Sequence, residues 1–302
     1  MTSLTVHKAH TYTGHKDCIY GLGEGFTQGT FVTGGADGWV VEWSHQAPGD
    51  GQLLVQVNAP VYSFVVIAEA QQLVCGTRAG NLHVVDMGQR REVRNIEAHT
   101  AGIFDIIHLP QTKQIVTAGG DGAVKVWDNT FLLAAQLKHS AKSARVIAVH
   151  PAKPEMAVGY SDNSIRVFDT NTFVLVHEIE AHSNSVFALD YSSDGKYLLS
   201  GGRDAVLKVW SADNGYAPLQ TINAHWYHIN AIKYNPAGSL FATVSLDKTL
   251  KIWDASTFEL LKVIDKSKND GHTTSVNKVL WADDKRLITA SDDKTAMLWV
   301  IS

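Results

Sequence analysis

The chain has little cysteine: Cys18 and Cys75 are the only two among 302 residues. Two thiols cannot build the disulfide framework of a small secreted domain, and with no CxxC pair there is no zinc-ribbon or dithiol redox motif. Both read as reduced, partly buried thiols. No run of eighteen apolar residues occurs, so no stretch has the length of a membrane-spanning helix. The opening "MTSLTVHKAHTYTGH" lacks the basic segment and continuous apolar stretch of a secretory signal, so the expected location is the cytoplasm, away from membrane. Charge of one sign is also scarce. With a formal net charge of −4 and a pI near 6.4, nothing suggests a general attraction to nucleic acid or to an anionic surface. Charged residues make up 19% of the chain and hydrophobic ones 45%, which is too few charges for a disordered chain and enough apolar material for a large core.

Motifs that carry chemistry are missing too. There is no GxxxxGK[ST], and "GLGEGF" at 21–26 reads as a glycine-rich turn region without the spacing or the following helix that would receive a pyrophosphate. No GxSxG elbow is present. The segment "DKSKNDGHTTSV" at 265–276 has Asp270 where a calcium loop needs glycine and Val276 where it needs glutamate, so it reads as a long solvated loop. Fourteen histidines show no HxH or HExxH clustering. The basic stretch "GQRREVR" holds only three arginines and reads as a loop and strand edge. The expectation is therefore no catalytic residue, no metal and no cofactor.

What the chain does have is a repeat. The segments "GWVVEWS", "GNLHVVD", "GAVKVWD", "NSIRVFD", "AVLKVWS", "KTLKIWD" and "KTAMLWV" place Trp43, Val85, Trp127, Phe168, Trp210, Trp253 and Trp299 in equivalent positions, at successive gaps of 42, 42, 41, 42, 43 and 46 residues. Within a period, stretches such as "SVFALDY", "YLLSGG" and "AVLKVWS" alternate or run apolar and are separated by turn residues, and a fourth such as "LQTINA" follows. Four short antiparallel strands per period of about 40–45 residues describe a propeller blade, so seven periods predict seven blades in a single all-β domain over residues 1–302.

A constellation recurs with the repeat. His15, Thr33, Asp37 and Trp43 share their offsets with His99, Thr117, Asp121 and Trp127, with His182, Ser200, Asp204 and Trp210, and with His225, Thr243, Asp247 and Trp253. His272, Thr289, Asp293 and Trp299 follow one residue looser. A hydroxyl, a histidine and a carboxylate suggest a hydrolase triad. Five copies, with the hydroxyl inside packed strands such as "VTGG" and "LLSGG", argue against it, because a nucleophile needs an open approach and an oxyanion site.

With "VWD", "IWD" and the upstream "GH" and "AH" dipeptides, the chain resembles WD-repeat (WD40) β-propeller proteins over nearly its whole length, particularly compact stand-alone members, short uncharacterised bacterial ones among them. The resemblance implies that each constellation is a hydrogen-bonded brace running from Asp to His to hydroxyl to indole. Such groups satisfy one another where water is excluded. Two periods depart from it. The second has Asn58, Ala59 and Pro60 in place of the dipeptide, then Cys75, Ala79 and Val85; the fourth keeps His139 and Asp162 but has Val158 and Phe168. The last period ends after its third strand, and the resemblance implies that residues 4–12 supply the missing outer strand and close the ring.

Function is then expected on one rim. By the same resemblance, a partner meets the residues flanking the first apolar residue of each innermost strand and the residue before each brace Asp. Those positions include Tyr20, Tyr62, Phe104, Arg145, Phe187 and His228, then Arg78, Arg203 and Leu246; Cys18, Ser185, Asn230, Ser275, Asn277 and Asp292 fall at others. Tyrosine, phenylalanine and arginine are the residues of interface hot spots. They suit a protein or peptide partner carrying a carboxylate beside an apolar residue. The rival expectation is a hydrolase or lyase with its site in the central channel, for which the inner strands offer Asp105, Arg145, His228 and Lys278.

Overall fold

Alternating apolar residues let each period bury both faces of a small sheet, and the computed structural model, which describes residues 4–302, contains seven four-stranded antiparallel sheets. The innermost strands are Ile19–Glu24, Val61–Ile67, Ile103–Leu109, Ala144–Val149, Val186–Tyr191, Ile229–Tyr234 and Val276–Trp281. Each inner strand packs beside the next, and the seventh packs beside the first, so the sheets form a closed ring of seven blades. The protein is a seven-bladed β-propeller.

The core lies between blades. Val32 and Val40 of blade 1 pack with Val61, Leu73 and Val85 of blade 2, and Ala242 and Ile252 of blade 6 pack with Val279 and Trp281 of blade 7. Glycine takes part in this packing. Gly21 and Gly23 of "GLGEGF" lie in the inner strand of blade 1, not in a turn as the sequence suggested, because Phe64 of blade 2 lies against them. A Cβ on Gly21 would stand 2.8 Å from that ring.

Ring closure uses the N-terminal strand, Val6–Tyr12, which pairs antiparallel with the third strand of blade 7, Ala296–Ile301, setting Val6 opposite Ile301 and Tyr12 opposite Ala296. Tyr12 also donates its hydroxyl to the Ser44 carbonyl of blade 1, 2.9 Å away, and packs edge-on against Phe31. The segment at 265–276 is more ordered than a solvated loop. It holds one helical turn, Lys266–Asn269, because the Asp265 side chain caps the Lys268 amide at 2.8 Å. Asp270 then pairs with Lys266 and with Lys8 of the closing strand.

Inner strands leave one edge unpaired towards the axis, and side chains from neighbouring blades serve part of it. Asp105 accepts the Ile147 amide at 2.8 Å and Asp190 the Tyr234 amide at 2.8 Å. Asp190 also pairs with Lys233, 2.7 Å away.

Candidate binding site at the channel mouth

Five blades carry the brace in full. In blade 5, Trp210 Nε1–H donates to Ser200 Oγ at 2.8 Å, that hydroxyl donates to His182 Nε2 at 2.7 Å, and His182 Nδ1–H donates to Asp204 at 3.0 Å. The same chain joins Trp43, Thr33, His15 and Asp37 in blade 1, and Trp127, Thr117, His99 and Asp121 in blade 3. It also joins Trp253, Thr243, His225 and Asp247 in blade 6, and Trp299, Thr289, His272 and Asp293 in blade 7. A donor-only indole at one end and an acceptor-only carboxylate at the other fix every proton between them. Burial lowers the pKa of His99 and His225, keeping these imidazoles neutral. Asp204 is opposed by its own burial, yet its bonds to His182 and to two backbone amides hold it down at about 2. Room for the brace comes partly from glycine: a Cβ at Gly119 would sit 2.1 Å from His99 Nδ1.

The fourth blade lacks the brace, in line with its Val158 and Phe168. Asp162 bonds Ser164 Oγ at 2.5 Å and Arg166 at 2.9 Å, and His139 instead packs against Phe168 with ring centroids 5.2 Å apart and the rings tilted by 52°. With Val158 supplying no hydroxyl and Phe168 no N–H, the carboxylate turns to the nearest cation.

The brace also positions the rim. Besides the imidazole N–H, each Asp accepts two backbone amides, one from the residue after its His and one from the turn beyond itself: Asp204 takes Ser183 at 3.0 Å and Val206 at 3.3 Å, and Asp247 takes Trp226 at 3.1 Å and Thr249 at 3.0 Å. One carboxylate thus ties together the turn that carries the preceding residue and the loop leading into the inner strand.

A second device recurs in all seven blades. The pairing of inner with second strand slips by one residue at Tyr20, Tyr62, Phe104, Arg145, Phe187, Asn230 and Asn277. Each is the extra residue of a β-bulge, which re-aims its side chain and leaves it outside the ladder. All seven line one cavity of about 500 Å³, joined by Arg203, His228 and Lys278.

Around that cavity the rings form an arc. Tyr20 meets Tyr62 edge-on at 5.2 Å, and Tyr62 stacks on Phe104 at 5.8 Å. The Arg145 guanidinium lies 3.7 Å from the Phe104 ring and 4.8 Å from that of Phe187, and Phe187 meets His228 at 5.8 Å. The remaining sector is polar. Asn230 donates to Ser275 Oγ at 3.0 Å, and Asn277 donates to the Ile19 carbonyl at 2.9 Å and to Asp292 at 2.7 Å, linking blade 7 to blade 1.

The lining holds three fixed cations, Arg145, Arg203 and Lys278, and no carboxylate. Among the described residues none of the three forms an ion pair. Burial lowers the Arg145 pKa to about 10, which leaves it charged at neutral pH. His228 is held below the usual imidazole range by burial and then by Arg203.

Of the rim positions expected from sequence, Tyr20, Tyr62, Phe104, Arg145, Phe187, Arg203 and His228 come together at the cavity. Arg78 and Leu246 are absent from its wall: Arg78 is exposed on its turn, and half-buried Leu246 donates its amide to the His228 carbonyl. Of the four channel residues, Asp105 alone is absent from the cavity wall, although the Lys278 charge still acts on it. Both its oxygens accept backbone amides, from Ile106 and Ile147, and burial raises its pKa. Burial, with Asp292 adding to it, also pushes the Cys18 thiol up to about 11, in keeping with an unreactive thiol. Sequence reasoning passed over Trp226 and Tyr227, which are 88% and 60% exposed just before His228. The signal available was two adjacent aromatics at loop positions that hold Lys16 and Asp17, or Ser183 and Asn184, in other repeats.

A ring of seven four-stranded blades, five of them braced by Asp, His, Ser or Thr, and Trp, defines a WD-repeat propeller. The WD domain, G-beta repeat (WD40) family model matches residues 90–128, 173–211, 216–254 and 264–300, just over half the chain, and the protein belongs to that family. All four matches end in or just after a braced repeat's Trp. Among relatives, WD repeat-containing protein 90 of Mus musculus is 27% identical over 143 residues, 45% of this chain and 8% of its own length. Autophagy-related protein 16 of Arabidopsis thaliana is 27% identical over 193 residues, 61% of this chain and 36% of its own. Striatin of Rattus norvegicus is 23% identical over 249 residues, 70% and 30% respectively. The chain therefore spans only a minor part of the curated relatives it matches.

Proposed function

We propose that the protein is a cytoplasmic, non-enzymatic interaction module whose braced propeller presents the channel mouth to a protein or peptide partner. The carrying observation is that the bulge between inner and second strand turns one side chain per blade, seven in all, out of its ladder and into one cavity. The third and outer strands also slip by a residue in every blade, so it is the convergence of the seven inner bulge residues on one cavity, and not the bulge itself, that supports a shaped binding surface. Family membership supports the reading, since a propeller with every blade spent on closure offers its rims for contact. The channel-enzyme alternative gains no support from the wall, where no carboxylate joins His228.

Joint replacement of Arg145, Arg203 and Tyr20 by alanine tests this. Partners captured by the native protein should be lost by the variant, with its thermal unfolding checked in parallel. Retention of every partner at unchanged affinity would place binding elsewhere.

A further inference from the structure

The charge at the mouth is out of keeping with the rest of the molecule. The chain holds 30 acidic against 26 basic residues, yet the cavity wall gathers three fixed cations and no acid. Arg145 is the most costly of them. Its guanidinium is desolvated, has no ion-pair partner among the described residues, and lies within cation–π distance of both Phe104 and Phe187. An unpaired, partly buried cation is unfavourable until an anion reaches it. Its N–H groups form no ion pair among the described residues, and two parallel N–H groups of a guanidinium match the two oxygens of a carboxylate.

Beside this wall stand two unpartnered aromatics on a held backbone. The Trp226 amide is fixed by Asp247, and the Tyr227 carbonyl accepts from Ser245 Oγ at 3.1 Å, while both side chains remain open to solvent. A tryptophan 88% exposed forgoes most of its burial energy in the free protein. A held backbone lowers the ordering cost of covering it.

Resting on the reading of the mouth as a partner-binding site, we infer that its partner is an acidic protein segment read at two points. An aspartate or glutamate side chain docks on Arg145 in the cavity that Arg203 and Lys278 also line, and an apolar side chain of the same segment covers Trp226 and Tyr227. The cations select the sign of the segment, and the aromatic pair fixes which side of the ring it crosses.

The test is selection of random twelve-residue peptides on the intact protein, followed by titration of synthetic copies of the enriched peptides. Enriched peptides should share an acidic residue with an apolar residue nearby. Arg145→Gln should weaken them at least tenfold and Trp226→Ala about tenfold, losses of at least and about 1.4 kcal/mol. Trp226 is exposed, so its variant keeps the fold even if Arg145→Gln does not, and Arg145→Lys should recover part of the loss. Affinity should fall as salt rises.

If neutral or basic peptides enrich and are still lost in the Arg145, Arg203 and Tyr20 triple variant, the mouth binds peptides but the carboxylate assignment is wrong. If Trp226→Ala binds as tightly as native, the second point of contact is wrong. Phosphoserine in place of the acidic residue should bind no better than glutamate; a tenfold gain would transfer the site to phosphate, and tighter binding of single-stranded oligonucleotide would transfer it to nucleic acid. No enrichment at all would overturn the partner-binding reading along with this one.

Discussion

At Thr243 a single hydroxyl serves two buried neighbours, donating to His225 Nε2 and accepting from Trp253 Nε1–H. Thr243→Val keeps the shape and removes both bonds, stranding two nitrogens where no water replaces the oxygen. We expect a loss of about 2–3 kcal/mol in urea unfolding, most of it the desolvation penalty of the stranded groups. Adding Trp253→Phe to Thr243→Val should cost less than the two single losses combined. Blade 4 shows why, since there Val158 and Phe168 share a core cluster with neither hydroxyl nor indole, and His139 packs against the Phe168 ring instead. A loss below 0.5 kcal/mol, roughly the floor for a net hydrogen bond, would mean that the brace is not stabilising. At this scale the repeating residues were legible in the sequence because recurrence itself marks them. Arg166 taking over Asp162, and Trp226 standing in solvent, were not legible. Each depends on which side chain is nearest in three dimensions, and a 42-residue period averages over that.

The strand is the scale at which the ring closes. Val6–Tyr12 supplies the outer strand of blade 7, and Tyr12 reaches across to blade 1 both by its hydroxyl and by packing on Phe31. Removing residues 1–12 would leave the strand Ala296–Ile301 as a hydrophobic edge and uncover buried Leu298 and Ile301. We expect a fall in melting temperature of at least 10 °C, or loss of soluble protein, since several kcal/mol of packing disappear and each is worth roughly 2–4 °C in a large domain. An unchanged melting temperature would show that the ring holds without this strand. Asp270→Ala is the contrasting case: it removes only the exposed pairs to Lys8 and Lys266 and should cost less than about 1 kcal/mol. Strand count and blade count could be read from spacing, and the closing strand from the family resemblance. The bulges could not, because alternation identifies which face a residue takes and is blind to a one-residue slip that recurs in every blade. That slip separates Tyr20 and Phe104 from their ladders and makes a cavity of what looks in sequence like an ordinary strand start.

Braces spread round the whole ring make stability a property of the molecule's proton balance. His99 and His225 are neutral when folded because burial holds their pKa below the usual value, and His45 and His150 are shifted the same way, also chiefly by burial. An unfolded chain takes up protons at these histidines below about pH 6.5, where the folded chain does not, so acidification favours unfolding from that point. The carboxylates act in the same direction lower down. Asp162 and Asp204 are held near 2, and Asp121, Asp247 and Asp293 are also depressed. Their stabilisation is complete above the unfolded value near 4 and is lost as pH falls towards the folded one. Both groups therefore predict a melting temperature that is level above pH 7, falls by roughly 5 °C or more between pH 7.5 and 4.5, and drops more steeply below 4. His225→Gln in blade 6 should lower the plateau and reduce the slope between pH 6.5 and 5, because the variant no longer has that proton to refuse. A melting temperature that rose on acidification would mean that the braces hold charged imidazolium, with His Nε2–H donating to the hydroxyl in place of the reverse, while the indole and Nδ1–H donations stand.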